Sequence, residues 1–420
     1  MRGARTPARW GAPVPHEAPL IGTIAVGLAF AFAGGFLAAR VGLPPLVGYL
    51  LAGIAVGPFT PGFVADVHLA PQLAEIGVIL LMFGVGMHFS LGDLLAVRAI
   101  AVPGAVAQIA AATALGVAIA ASWGWSWGAG LVFGLALSVA STVVLLRALA
   151  DRGLLESDDG RIAVGWLIVE DVATVIALVL LPVLSEPLGG RPPGHEHAAT
   201  GSMWVTIGAT LGKVAVFVAF MLVVGRRVFL WLLALVERGG SRELFSLAVI
   251  ALALGVAYAS AELFGVSFAL GAFFAGVVVH ESDLSHRAER ELQPLQDAFG
   301  VLFFVAVGML FDPAILVQEP LRVLTVVAVI VVGKSLAALA IVLALGYPLR
   351  TATTVSAALA QIGEFSFILA GLGVALELLP AEARSLILAG ALLSITLSPL
   401  AFAVAARLAR TRAVAGASAP

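Results

Sequence analysis

Cysteine is absent from the 420 residues, lysine occurs twice, tyrosine three times, and only 11% of the chain is charged. The missing thiols exclude disulfides and thiolate metal sites. Soluble domains carry about 25% charged residues. A chain with less than half that share, and 61% hydrophobic, reads instead as a polytopic membrane protein. The formal net charge of -2 gives nucleic acid or another polyanion nothing to bind by bulk attraction. Seven histidines (16, 68, 88, 195, 197, 280 and 286) fall near span ends or in loops without ligand spacing. The nearest approach to a cluster, His195-Glu196-His197, reads as a solvated loop. Residues 1–19 are rich in Arg and Pro and lack the apolar core and small-residue cleavage site of a signal peptide, so they read as a plain tail.

What is present is a series of apolar runs, each set off by charged or Pro/Gly breaks. Crossing a bilayer takes about 20 residues. On that measure the runs predict about thirteen spans: 20–39, 42–57, 72–89, 99–121, 128–149, 162–184, 203–225, 243–260, 265–280, 295–311, 321–345, 352–376 and 384–406. The second and tenth are short, and the run after 203 continues to 237, so its end is expected along the membrane surface. The charged stretch 281–294 reads as a surface helix. If the N-terminus is outside, fifteen arginines lie on the inner side and six on the outer, the asymmetry that positive-inside orientation requires. Residues 20–410 thus form a membrane domain, with a short tail at 411–420 and no soluble domain after the last span. Runs such as Gly53–Gly57 and Gly84–Gly86 read as places of close helix packing.

The sixth span carries two adjacent carboxylates, Glu170 and Asp171. An ionised acid at the centre of a membrane helix costs about 2.5–3.5 kcal/mol on insertion scales, and its default reading is an ion or proton site with a partner elsewhere. Consecutive residues point about 100° apart on a helix, so the two acids do not line one narrow pocket equally. Both lysines, Lys213 and Lys334, fall inside predicted spans, and Lys334 is the natural counter-charge. Glu75 and Gln108 read as packing hydrogen bonds, and Glu262 as a loop edge.

Two further spans are interrupted by polar residues near their centres. The fifth holds Ser138-Val-Ala-Ser141-Thr142, and the twelfth holds Gln361-Ile-Gly363-Glu364-Phe-Ser366. Membrane carriers place ion sites where two helices break in corresponding positions of inverted halves. Hydroxyls that only bond their own helix carbonyls are the alternative for Ser138–Thr142.

Seven stretches together resemble one family: GYLLAGIAVGPFTPGFVAD (48–66), LAEIGVILLMFGVGMHFSL (73–91), ALSVASTVVLLRAL (136–149), GWLIVEDVATVIALVLLP (165–182), SFALGAFFAGVVV (267–279), FFVAVGML (303–310) and AQIGEFSFIL (360–369). They look like the membrane domain of Kef-type monovalent cation:proton antiporters. The resemblance implies an all-α inverted-repeat fold of thirteen spans, with two broken, crossing helices, a dimerisation domain and a moving core. It also implies a homodimer in the inner (plasma) membrane, with the C-terminus cytoplasmic. The family's ion-site aspartate falls on Asp171, its crossing helices on Ser138–Thr142 and Gln361–Ser366, and the core lysine of related antiporters on Lys334.

The expected function is secondary antiport of K+ or Na+ against protons, with the ions as substrates and no cofactor. It is not an enzyme activity. Asp171 is expected to bind cation and proton in turn and Glu170 to tune it or share the ion and proton binding. Lys334 is expected to neutralise Asp171 in the empty site, and Ser141, Thr142, Gln361 and Glu364 to line the crossing. A channel-like K+ efflux path and a non-transporting membrane subunit are the rival expectations. Two features depart from the family. Many members carry a cytoplasmic nucleotide-binding domain after the membrane part, so a separate soluble subunit would have to supply one here. Glu-Asp also stands where Gln-Asp is common, which leaves the cation and the stoichiometry open.

Overall fold

A computed structural model describes residues 19–61, 65–66, 69–88, 91–191 and 203–417. The tail before Pro19 and the His195–His197 stretch lie outside the described residues. Among the described residues the fold is entirely helical. The first half comprises α1 (Pro19–Arg40), α2 (Pro45–Ala55), α3 (Leu69–His88), α4 (Leu91–Ser122), the pair α5 (Trp127–Ser138) and α6 (Thr142–Ala150), and α7 (Asp158–Leu184). A connecting helix follows: α8 (Met203–Phe220) joined through a π-turn at Met221–Gly225 to α9 (Arg226–Arg238). The second half comprises α10 (Arg242–Phe264), α11 (Phe268–His280) and α12 (Ser285–Met309). A single turn, α13 (Ile315–Gln318), leads to α14 (Pro320–Ala328), joined through a π-turn at Val329–Gly333 to α15 (Lys334–Ala344). The pair α16 (Leu349–Ala358) and α17 (Glu364–Ala375) and the long α18 (Ala381–Ala417) complete the chain.

The order long, short, long, long, broken, long therefore occurs twice, with α8–α9 between. Equivalent segments are seven apart, an odd number, so the two halves run in opposite directions. Among the described residues ten helical stretches are long and apolar enough to cross a membrane, while α2, α11 and α17 are shorter.

Serine caps set many helix starts. The hydroxyls of Ser126, Ser157, Ser241 and Ser267 accept from amides three residues on and open α5, α7, α10 and α11. Asp158 and Asp159 add negative charge to the first turn of α7, where the helix dipole favours it. One expectation is corrected. The charged stretch 281–294 is not a separate surface helix: residues from Ser285 belong to α12, which runs through Pro294. Its charges are met by neighbours, with Arg242 on Glu291 at 2.8 Å and Arg287 on Glu237. The run after 203 continues past 225 through its π-turn into α9, and its candidate span is Gly212–Arg238.

The helices form two bundles. In one, α1–α3 pack with α10–α12, flanked by α9. In the other, α4–α7 pack with α14–α18. The first bundle is drawn together where helices cross glycine on glycine. A Cβ at Gly86 of α3 would strike Phe273 O of α11 and lie 3.1 Å from Gly276 Cα, and one at Gly276 would strike Phe83 O. The same reciprocal contact joins Gly53 of α2 to Gly308 of α12. These are equivalent crossings of the two halves. No rotamer relieves a clash with a neighbouring backbone.

Between the bundles lies a cavity of about 810 Å³. Its walls include Tyr49 of α2, Val143, Val144 and Arg147 of α6, and Asp297 and Phe304 of α12. Phe304 also packs with Phe303, and both lie 6.5 Å from Phe367 of α17. Through Phe304 this buried cluster of rings borders the cavity.

Replacing Gly86 or Gly276 by Val should force α3 and α11 apart, costing at least the ~1–3 kcal/mol typical of overpacking. Gly255→Val, where nothing stands within 4 Å of a new Cβ, is the control. The yield of monodisperse protein and its melting temperature in detergent should fall for the first two substitutions and hold for the third.

Candidate functional site

The second bundle is organised around two interruptions that meet. At the first, α5 ends at Ser138, Val139 is extended (φ -95°, ψ 125°), and Ser141 caps α6. At the second, α16 ends at Ala358 and α17 begins at Glu364. Each break frees backbone groups that lipid cannot satisfy. The side chain of Gln361 takes up part of that burden: its Oε1 accepts from Ser141 N at 2.9 Å, and its Nε2 donates to Ser141 O at 3.2 Å. A glutamine thereby pairs with both backbone groups of one residue across the crossing. Ser366 Oγ donates to Val139 O at 3.4 Å. The approach is so close that a Cβ on Gly363 would collide with the Ser141 side chain, so only glycine fits there.

The carboxylates close around this point. Glu364 sits in the first turn of α17 and accepts at Oε2 from Ser141 Oγ at 2.8 Å, beside the amides that open α6. Two helix N-termini thus share one acid, an arrangement the helix dipole favours. Glu170 is fully buried. Its Oε2 accepts from Ala140 N at 2.8 Å and lies 4.0 Å from Lys334 Nζ, which is also fully buried. Lys334 Nζ donates in addition to Gln361 O at 3.3 Å. Asp171 is 5% exposed; its Oδ2 accepts from Thr142 Oγ1 at 3.2 Å, and its Oδ1 has no hydrogen-bond partner.

All seven side chains singled out from the sequence, Glu170, Asp171, Ser141, Thr142, Gln361, Glu364 and Lys334, therefore stand at one crossing. Their pairing differs from expectation in one respect: Lys334 lies against Glu170, not Asp171. The 100° between consecutive residues of α7 turns Glu170 toward α15 and leaves Asp171 facing α6. Glu75 and Lys213 are exposed on α3 and α8, away from the crossing. Gln108, read from the sequence as a packing hydrogen bond, makes one between α4 and α5, donating from Nε2 to Ser138 O at 3.1 Å; that its partner stands at the break is what the sequence did not show. Its spacing thirty residues ahead of the break carries no signal by itself. Among the described residues no three His, Cys, Asp or Glu side chains are placed to hold a metal ion as a group. The oxygen that stands against Asp171 is the Thr142 hydroxyl.

Broken helices crossing beside buried acids, in two oppositely directed halves, are the architecture of membrane ion carriers. The sodium/hydrogen exchanger transmembrane family matches residues 27–406, and the chain belongs to that family. It is 60% identical over 389 residues to the "Putative cation/proton antiporter YbaL" of Escherichia coli (strain K12), covering 93% of this chain and 69% of that protein. It is 34% identical over 385 residues to K(+) efflux antiporter 4 of Arabidopsis thaliana, covering 91% of this chain and 63% of the relative. The fold matches the sodium proton antiporter MjNhaP1 of Methanocaldococcus jannaschii with a TM-score of 0.67 at 14% identity, over 93% of this chain and 98% of that one.

The buried ion pair predicts a mutational asymmetry. Lys334→Met leaves Glu170 uncompensated and should cost about 3–5 kcal/mol, whereas removing both charges from such a pair is often nearly neutral. Thermal unfolding in detergent should show a large fall for K334M and recovery of most of it in E170Q/K334M.

Proposed function

We propose that the protein is a secondary antiporter exchanging a monovalent cation, K+ or Na+, for protons across the inner (plasma) membrane. The observation that carries the reading is Asp171 Oδ1, a buried acid oxygen without a partner. Its neighbour Thr142 adjoins Val143 and Val144 of the cavity wall. A buried acceptor left unsatisfied costs about 1–3 kcal/mol, more when charged, and a cation or proton arriving through the cavity would satisfy it. Both compete for the same carboxylate, so one leaves as the other binds, and exchange needs no separate coupling device.

In this reading Thr142 shares the cation with Asp171. Lys334 holds Glu170 as a charge pair at the crossing, a role revised from neutralising Asp171. Ser141, Gln361 and Glu364 keep the two breaks in register. The names of the relatives, a cation/proton antiporter and a K(+) efflux antiporter, support the class of exchange. The positive-inside asymmetry supports thirteen crossings with the N-terminus outside, and in this reading the cavity end that carries Arg147 and Arg152 faces the cytoplasm. The first bundle is the natural homodimer face, because the second encloses the site.

Purified protein in liposomes containing a pH dye, with the membrane potential collapsed, should change interior pH on addition of Na+, K+ or Li+. Asp171→Asn should abolish that change. Exchange should fall at low pH, where protons hold Asp171 against the cation, and at high pH, where no proton is left to exchange. Full exchange by D171N would sink the proposal, and cation uptake without a pH change would replace it with a channel.

A further inference from the structure

Gln108, on α4, is fully buried and only half used. Its Nε2 donates to Ser138 O, the last residue of α5, and its Oε1 has no hydrogen-bond partner. Lys334 makes the corresponding contact in the second half, donating to Gln361 O. Each half thus sends one donor, from the helix preceding its broken helix, to a carbonyl at the break. The donor of the second half is charged and that of the first is neutral.

Gln108 also stands level with the acids. Helices α4 and α7 run side by side in the same direction: Gly165 lies against Val97 and Ala101, and Gly104 against Trp166. One turn beyond Gly104 is Gln108, and one turn beyond Trp166 is Glu170. The amide that Glu170 holds, Ala140 N, is two residues from the carbonyl that Gln108 holds. The backbone from Ser138 to Thr142 is therefore held along its length by side chains from outside it: Gln108 on 138, Ser366 on 139, Glu170 on 140 and Gln361 on 141. Thr142, the partner of Asp171, is the next residue. An apolar side chain would fill the space beside α5 but leave the Ser138 carbonyl, at the break, without this donor, so filling space alone does not account for a glutamine.

We propose that Gln108 is a positioning residue of the exchange site, setting through the Ser138–Thr142 backbone the place of Thr142 against Asp171. This rests on Asp171 being the cation site. Loss of the amide lets the end of α5 shift, and the cation loses oxygen geometry rather than charge. The effect therefore falls on cation affinity more than on folding.

The test is Gln108→Met, close to glutamine in size, measured two ways: the apparent KM for the cation in the proton-flux assay, and the rise in melting temperature that the cation produces in purified protein. The KM should rise about tenfold, the low end of what losing a ligand-orienting partner costs a metal site. The cation-dependent rise in melting temperature should shrink while the cation-free melting temperature stays within a few degrees. If Q108M does not fold, Gln108→Asn keeps the amide one methylene short and should move KM the same way by less. An unchanged KM, with or without a lower melting temperature, returns Gln108 to packing and overturns the proposal. Should the unsubstituted protein bind cation without exchanging it, antiport fails, while the melting shift still decides for or against Gln108. Should it neither bind nor exchange, both fall.

Discussion

The structure depends on the pairing of Gln361 with Ser141. Hydrocarbon offers no hydrogen bonds, so a helix broken in mid-membrane is tolerated only where protein groups replace the lost ones. Here each break is repaired by the other and by the helices alongside. The amide of Gln361 serves Ser141, the Ser366 hydroxyl serves Val139, and Glu364 serves the hydroxyl that caps α6. Remove one break and the other is left unsatisfied. The acids gather at the same point for the same reason, since freed amides and two positive helix ends are what a buried carboxylate needs in place of water.

The two bundles divide the work. The first is held by glycine crossings, in which backbone meets backbone and no side chain remains to slide or repack. The second is held by polar contacts concentrated at one level, with apolar packing above and below. The cavity between them is lined from both sides and bordered by aromatic rings.

Much of this was legible in the sequence because lipid makes few allowances. A polar residue in the middle of an apolar run has to have a partner, and Glu170, Asp171, Lys334, Gln361 and Glu364 all stood out on that ground. The paired glycines were legible as packing sites, although not which helices they join. Partner choice was not legible. Whether Lys334 meets Glu170 or Asp171 turns on the rotation of α7, which depends on contacts such as Trp166 against Gly104 rather than on spacing. Gln108 was passed over because one amide in a long apolar helix looks the same whether it bonds a neighbour or a break. The start of α12 was misplaced because Pro294 and the charges before it imitate a loop. Arg226, Glu237 and Arg242, on neighbouring helices, show how those charges are met.

The cavity has an electrical consequence. Water carries potential with little loss, so in this conformation little of the transmembrane voltage falls over the depth of the cavity and most of it falls across the packed protein outside it. A full unit charge moved through the whole drop gains or loses about 2.3 kcal/mol per 100 mV. In the proposed exchange, a cation travelling up the cavity to Asp171 would cross little of that drop. The voltage would be felt instead when access changes sides, so membrane potential would act on the reorientation of the loaded site and only weakly on its filling.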